Sequence, residues 1–281
     1  MRVVISIREM TALAARWRAR GMTIGFVPTM GALPDGHLSL VRRARSENKI
    51  VVLSIFVNPL QFGPREDYAQ YPRPFHHDCR LARAAGVDVI FAPRAAAMYP
   101  QGHATAIEVQ GLTETLCGRF RPGHFRGVAT IVHKLLNIVQ PHRAYFGQKD
   151  AQQAAVIRRM VRDLDLPVVV RVLPIVREPD GLAMSSRNAY LSTEERASAV
   201  RLYRALQTLR QAIRDGARNA AALRRRAFTM LRQGGGVRPE YVELVDADEL
   251  RPLARLRGTV LIAVAAWVGR TRLIDNVVVR V

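Results

Sequence analysis

Cysteine is nearly missing from this 281-residue sequence: Cys79 and Cys117 are the only two, and they stand far apart. Such a pair builds neither a disulfide-stapled scaffold nor a structural zinc site, which needs several closely spaced ligands. Both are read as buried or incidental thiols in a reducing compartment. Aromatic residues make up only 6% of the chain, and the sequence has no dense basic block with interleaved aromatics of the kind a nucleic-acid surface uses. No apolar run approaches the ~20 residues needed to cross a bilayer. The opening MRVVISIREMTALAARW also lacks the basic, apolar and small-residue sections of a signal peptide, so a cytoplasmic protein without membrane attachment is expected. Internal repeats and low-complexity segments are absent too.

Acidic residues are also scarce, 23 against 43 basic ones, which leaves a formal net charge of +20. Only three of the basic residues are lysines, Lys49, Lys134 and Lys149. The arginines are scattered over helical stretches instead of forming a dense block. This reads as a solvated surface whose field draws in small anionic substrates, and nucleic acid is not expected as a partner.

What is present is enough apolar residue for a core, 49% of the chain, in a length that suits one large or two moderate domains. Ile24–Val27, Ile50–Val57, Val87–Phe91, Arg143–Phe146 and Val168–Val176 read as strands, several of them apolar without alternation. That pattern belongs to parallel strands covered on both faces. Leu38–Arg45, His77–Ala85, Val128–Val139 and Gln152–Arg162 read as helices between them. The succession predicts an α/β fold, a doubly wound parallel sheet with ligands at the carboxyl ends of its strands.

The pattern changes at the turn-rich Arg177-Glu178-Pro179-Asp180-Gly181. Beyond it Ser192 and Glu195 have capping-box spacing, and Leu202, Leu206, Leu209 and Ile213 mark the apolar face of a long helix. After the Gly234-Gly235-Gly236 break, Tyr241–Val245, Val260–Val264 and Leu273–Val279 read as strands of a separate small sheet. The expected domains are therefore 1–176 and a smaller α+β domain, 177–281.

Four stretches carry candidate chemistry. In MGALPDGH, residues 30–37, Gly31, Gly36 and His37 lie at a strand-to-helix junction. Such a junction aims backbone amides and the positive end of a helix dipole at a polyphosphate. His37 could add a hydrogen bond or a proton as charge develops on the α-phosphate; read alone, Pro34-Asp35-Gly36 is equally a turn and His37 a helix-start residue. SIFVNPLQF, residues 54–62, ends a strand with Asn58 and Gln61, and FGQKDAQQ, residues 146–153, ends another with Lys149, Asp150 and Gln153. A lysine there suits a phosphate, and an aspartate suits magnesium or a ribose hydroxyl. AMSSRN, residues 183–188, puts two hydroxyls and Arg187 on a loop at the start of the second domain.

Together these stretches resemble the pantothenate synthetase (pantoate–β-alanine ligase) family, from Val27-Pro28-Thr29-Met30-Gly31, through RPGHFRGV at residues 121–128, to the closing Trp267–Asn276. The resemblance implies a Rossmann-like first domain that binds nucleotide and pantoate, a second domain forming a lid over the active site, a homodimer, and ATP with Mg2+. It implies attack of the pantoate carboxylate on the α-phosphate of ATP, then displacement of AMP by the amine of β-alanine. Carried over by position, Met30, Gly31, Ala32, Leu33, Pro34, Asp35, Gly36 and His37 line the ATP phosphates, with His37 the proton donor. Gly147, Gln148, Lys149, Asp150 and Val176 contact the nucleotide, with Asp150 the magnesium candidate. Met184, Ser185, Ser186 and Arg187 face the leaving pyrophosphate, Gln61 and Gln153 hold pantoate, Gln61 also lies near β-alanine, and His124 shapes the pocket.

The chain departs from the family's His-x-Gly-His pattern at its first position, where Pro34 stands. A prolyl ring neither donates to a phosphate oxygen nor carries positive charge, and losing one such donor costs roughly 10²- to 10³-fold in rate. The remaining candidates are all present, which favours a working ligase. A weakened or silent paralogue and a different nucleotidyltransferase of the same superfamily are the alternatives. A phosphorylated acceptor would call for arginines where Gln61 and Gln153 stand.

Overall fold

A computed structural model describes residues 1–64 and 66–281. The chain divides into two units, Met1–Gln110 with Arg121–Gly147 and Val156–Leu173, and Gly111–Phe120 with Gln148–Ala155 and Pro174–Val281. The last passage between them thus falls at Leu173/Pro174, and two short stretches of the earlier chain group with the second unit.

In chain order the first elements are β1 (Arg2–Val4), α1 (Ile7–Ala19), β2 (Ile24–Thr29), α2 (Asp35–Glu47) and β3 (Ile50–Ile55). There follow α3 (Phe75–Ala84), β4 (Val89–Phe91), α4 (Ala95–Met98), α5 (Leu116–Phe120), α6 (His124–Val139), β5 (Arg143–Gly147), α7 (Ala151–Asp163) and β6 (Val169–Leu173). Six parallel strands form one sheet in the order β1-β4-β3-β2-β5-β6. The chain builds from β2 through β3 to β4, then returns to the other side of β2 with β5 and β6. Strand order therefore reverses between β2 and β5, where Gly25 pairs with Arg143 and Phe26 with Ala144. In such sheets ligands bind beyond the carboxyl ends of the strands at the reversal. Phe26, Val27, Val51, Val52 and Leu53 are all fully buried, as the unbroken apolar runs of β2 and β3 require for a sheet covered on both faces.

The second unit holds α8 (Thr193–Arg214), α9 (Ala220–Arg232) and an antiparallel sheet β7 (Val237–Asp246), β8 (Thr259–Val268) and β9 (Thr271–Arg280), in that order. Ser192 and Glu195 close the expected capping box on α8. Leu202, Leu206, Leu209 and Ile213 pack with Val242, Leu244, Ile262 and Val264 in this unit's own core.

Several boundaries differ from expectation for identifiable reasons. The helix α2 begins at Asp35, not Leu38, because the Pro34 carbonyl already accepts from the His37 and Leu38 amides. Thus Asp35, Gly36 and His37 form the first helical turn instead of a turn before it. Val87 is not in β4: its amide bonds the Ala82 carbonyl and closes the end of α3 around Gly86, whose φ is +91°. At the other edge, β6 stops at Leu173 because Pro174 has no amide to offer the ladder. The helix α6 starts four residues early, at His124, behind Gly123 in the left-handed region.

Candidate active site

The loop leaving β2 is fastened from beneath. Thr29 Oγ1 donates to the Ser54 carbonyl (2.7 Å) and accepts from the Gly31 amide (3.1 Å). The carboxylate of Asp78, in the first turn of α3, accepts from the Ala32 amide (2.9 Å) and the Leu33 amide (3.0 Å). Asp78 is 1% exposed. Three consecutive amides of the MGALP stretch are thus engaged inside the protein, so this loop is a held shape and not a row of free donors. A Cβ on Gly31, whose φ is +85°, would come within 3.0 Å of Asp78 Oδ2 and Ile55 Cγ2, which is why glycine stands there. The anion-receptive part left over is the opening of α2. Its N-cap, Pro34, makes no side-chain cap, so the Asp35 and Gly36 amides have no cap at the positive end of the helix dipole, next to half-buried His37.

Next to this loop the turn Pro59–Gln61 presents Gln61. Asn58 Nδ2 donates to Gln61 Oε1 (3.1 Å) and to the Gly127 carbonyl (3.1 Å), while Asn58 Oδ1 accepts from the Tyr99 hydroxyl (2.7 Å). With its oxygen so occupied, Gln61 turns its amide nitrogen toward Met30, 3.0 Å from Sδ. A Cβ on Gly127 would lie 2.2 Å from the Leu60 carbonyl oxygen, so the glycine of RPGHFRGV exists to let the Gln61 turn rest on α6. The His124 Nδ1 is 2.8 Å from the Gln61 carbonyl, and its Nε2 is 3.1 Å from Arg121 Nη1. A carbonyl needs a donor and a guanidinium has only donors, so the imidazole carries its proton on Nδ1. Arg121 also grips Glu66 through two bonds, 2.7 and 2.5 Å. Burial opposes ionisation of Glu66, and Arg121 with the Gly63 amide outweighs it and holds the carboxyl below its usual range.

The remaining candidates belong to the second unit, except Gly147 at the end of β5. The chain leaving β5 enters a short turn, Gln148–Asp150, then α7. Asn276 Nδ2 donates to the Gln148 and Lys149 carbonyls (both 2.9 Å), and its Oδ1 accepts from Gln148 Nε2 (3.1 Å). Asp150 is exposed and Lys149 half-buried. Of the two glutamines in FGQKDAQQ, Gln152 is the structural one: it accepts from the Cys117 amide (2.9 Å) and donates to the Leu112 and Thr115 carbonyls (2.8 and 2.7 Å). Gln153, one residue on, is half-buried. Val176 and Met184 face each other across a hairpin through the Met184 amide (3.0 Å). Ser185 caps the turn Ser186–Tyr190, accepting from the Arg187 amide at 3.2 Å.

Two supporting polar groups escaped the sequence reading. Asp78 sits four residues before fully buried Ala82 on α3, so an acid on a helix's buried face was its signal. Asp275 and Asn276 interrupt the apolar run of β9, and that polar pair within a strand was theirs.

Comparison with known proteins gives a consistent result. The sequence model described as pantoate-beta-alanine ligase matches residues 2–278. A pantothenate synthetase of Moorella thermoacetica is 56% identical, the match covering 100% of this chain and 98% of that one. One from Heliobacterium modesticaldum is 57% identical with 100% of both covered. Among solved structures, pantothenate synthetase from Thermus thermophilus superposes with a TM-score of 0.93 at 50% identity, covering 99% of each chain. Pantoate-beta-alanine ligase from Francisella tularensis, solved with beta-gamma ATP and beta-alanine, gives 0.81 at 34% identity over 99% of this chain and 97% of its own.

Proposed function

The chain belongs to the pantoate–β-alanine ligase family, and from that premise we propose how its residues join (R)-pantoate to β-alanine with ATP as the driving substrate. A pantoate carboxylate oxygen attacks the α-phosphorus. A new P–O bond forms, the bond to the β-phosphate breaks, and pyrophosphate leaves. The free amine of β-alanine then adds to the acyl carbon, AMP departs with the carboxylate-derived oxygen, and the amine gives up a proton as the amide forms.

The observation that carries this reading is the opening of α2 at the end of β2. Its first turn, with His37, follows the strand where strand order reverses, and buried Asp78 braces the loop that leads into it through the Ala32 and Leu33 amides. There His37 hydrogen-bonds the α-phosphate oxygens, or protonates them, as charge gathers. Met30, Gly31, Ala32, Leu33, Pro34, Asp35 and Gly36 give the phosphates their bed by shape and dipole more than by free amides, since the Gly31, Ala32 and Leu33 amides have partners inside the protein. Gln61 and Gln153 hold pantoate. A neutral amide grips hydroxyls and a carboxylate without quenching the nucleophile. Gln61 also serves β-alanine.

The second unit is assigned the part of a lid. Gly147, Gln148, Lys149, Asp150 and Val176 contact the nucleotide, and Met184, Ser185, Ser186 and Arg187 give donors to the departing pyrophosphate. Among the described residues there is no group of three or more His, Cys, Asp or Glu that could hold a metal. One exposed carboxylate, Asp150, is the sparse donor set that suits Mg2+ completed by nucleotide phosphates. The ion would neutralise phosphate charge when bound. Among the described residues no helix is long and apolar enough to cross a membrane. The family reading extends to a cytoplasmic homodimer with no nucleic-acid partner.

Pro34 favours a second reading, a ligase slowed by the missing donor. A steady-state assay with ATP, pantoate and β-alanine tests whether the chain is a ligase at all. Pantothenate and AMP in equal amounts support the ligase, slow or fast. No AMP above background with a folded protein means a silent relative.

A further inference from the structure

Leu273–Val279 is an apolar strand except at Asp275 and Asn276, which are both 3% exposed and pair across the ladder with Val264 and Ala263. Burying an acid and an amide side by side costs free energy unless every polar atom finds a partner, and here the partners are specific. Arg177 holds Asp275 through two bonds, 2.7 and 2.9 Å, and reaches the Asn276 carbonyl at 3.3 Å. The Asn276 amide bonds Asp275 Oδ1 at 2.7 Å. Arg177 also donates to the Gly181 carbonyl (3.0 Å) and lies 4.1 Å over the Tyr203 ring. Gly181 has φ +94°, and a Cβ there would fall 2.3 Å from Tyr203 Cδ1. The hairpin that leads into Met184–Arg187 is therefore seated against the same cluster. From the far side, Asn276 clasps the Gln148 and Lys149 carbonyls and the Gln148 side chain.

We propose that Arg177, Asp275 and Asn276 are positioning residues that hold the Gln148–Asp150 turn and the hairpin before Met184–Arg187 in one fixed relation, so that both segments meet the nucleotide together. The inference rests on the reading that these two segments contact ATP. Asn276 is the joint: its two amide hydrogens go to two carbonyls of the turn, and only a primary amide of that length supplies both. An apolar residue in β9 would serve a core equally well and would leave those carbonyls unfastened. The strand keeps its polar pair where Asn276 ties down the turn carrying Lys149.

Asn276→Asp tests this with almost no change of volume, because it replaces the two donors with lone pairs facing carbonyl oxygens. The expected result is a rise in KM for ATP of roughly tenfold, the size of losing one to two hydrogen bonds, with KM for pantoate within about twofold. Asn276→Ala, which introduces no charge, serves if the aspartate variant does not fold. Calorimetric titration of the full chain with a non-hydrolysable ATP analogue gives the same answer without turnover. Unchanged ATP affinity in a folded variant overturns the proposal, as does an equal rise in KM for all three substrates, which would mean general damage. Failure of the wild type to release AMP would instead overturn the ligase reading, and the calorimetric comparison would still judge the cluster.

Discussion

At the level of single residues, Pro34 is the N-cap of α2. Its φ of −78° suits a prolyl ring, so the residue fits the start of α2, and under the proposed function it withholds a donor from the phosphates. Pro34→His is expected to raise the rate of pantoyl adenylate formation by about 10²- to 10³-fold, against a loss of ~0.4 to 1 kcal/mol of stability from a looser unfolded chain. Single-turnover measurement reads this directly, and an unchanged rate in a folded variant would mean that another group already fills the role. The two neighbouring glutamines make a sharper pair. Gln152→Ala leaves two carbonyls and one amide of residues 112–117 without their bonds. It should lower the melting temperature with a cost of a few kcal/mol, at ~1 to 3 per orphaned group. Gln153→Ala should leave melting nearly unchanged and raise KM for pantoate by about two- to tenfold. The reverse pattern would exchange their roles. That MGALPDGH joins a strand to a helix could be read from sequence, because glycine and proline act locally, whereas the start of the helix at Asp35 could not. What Asp78 holds could not be read either, because its two bonds to the loop span 45 and 46 positions; its place on the buried face of α3 marks it as a buried acid without naming its partners.

Among the elements, the sheet has a side chain built into its ladder. Just before β5, His142 donates its amide to the Ile24 carbonyl (2.9 Å) and accepts the Ile24 amide on Nδ1 (3.0 Å). Burial, with Arg18 and Arg143 nearby, lowers the pKa of this imidazole, and protonating Nδ1 would set a donor against a donor. The native state therefore takes up this proton at lower pH than the unfolded chain, whose histidines titrate near ~6.5. In that window the unfolded state binds more protons, so stability rises with pH. It is complete above about pH 6.5 and is lost as pH falls toward the depressed native value. His133, also lowered by burial, acts in the same sense, so the comparison needs a variant. His142→Asn, which keeps an acceptor near the same place, should flatten the urea-midpoint slope between about pH 7 and 5; equal slopes would contradict the assignment. Strand and helix types were legible from apolar runs and 3.6-residue spacing. The ends were not, because Val87, Pro174 and Gly123 decide them through caps and missing amides.

Across the whole molecule, the excess of arginine is a field around two cores, and many arginines have structural duties that composition does not reveal. Arg45 bonds Asp88 at 2.7 Å, Arg121 holds Glu66, Arg177 holds Asp275, and Arg272 holds Glu240 at 2.5 Å. What remains favours the approach of ATP and pantoate, both anionic. The α/β class and the small second sheet were legible because each depends on repeating patterns. The grouping of Gly111–Phe120 and Gln148–Ala155 with the second unit was not, since it depends on contacts such as those of Gln152, which no local pattern encodes. The central claim is that one carboxylate oxygen of pantoate becomes an oxygen of AMP. Pantoate labelled with oxygen-18 in its carboxylate, turned over with ATP and β-alanine, puts this to mass spectrometry. Carboxylate attack on the α-phosphorus requires one labelled oxygen in each AMP formed and none in pyrophosphate. Unlabelled AMP, or label in inorganic phosphate with ADP as the product, would contradict it.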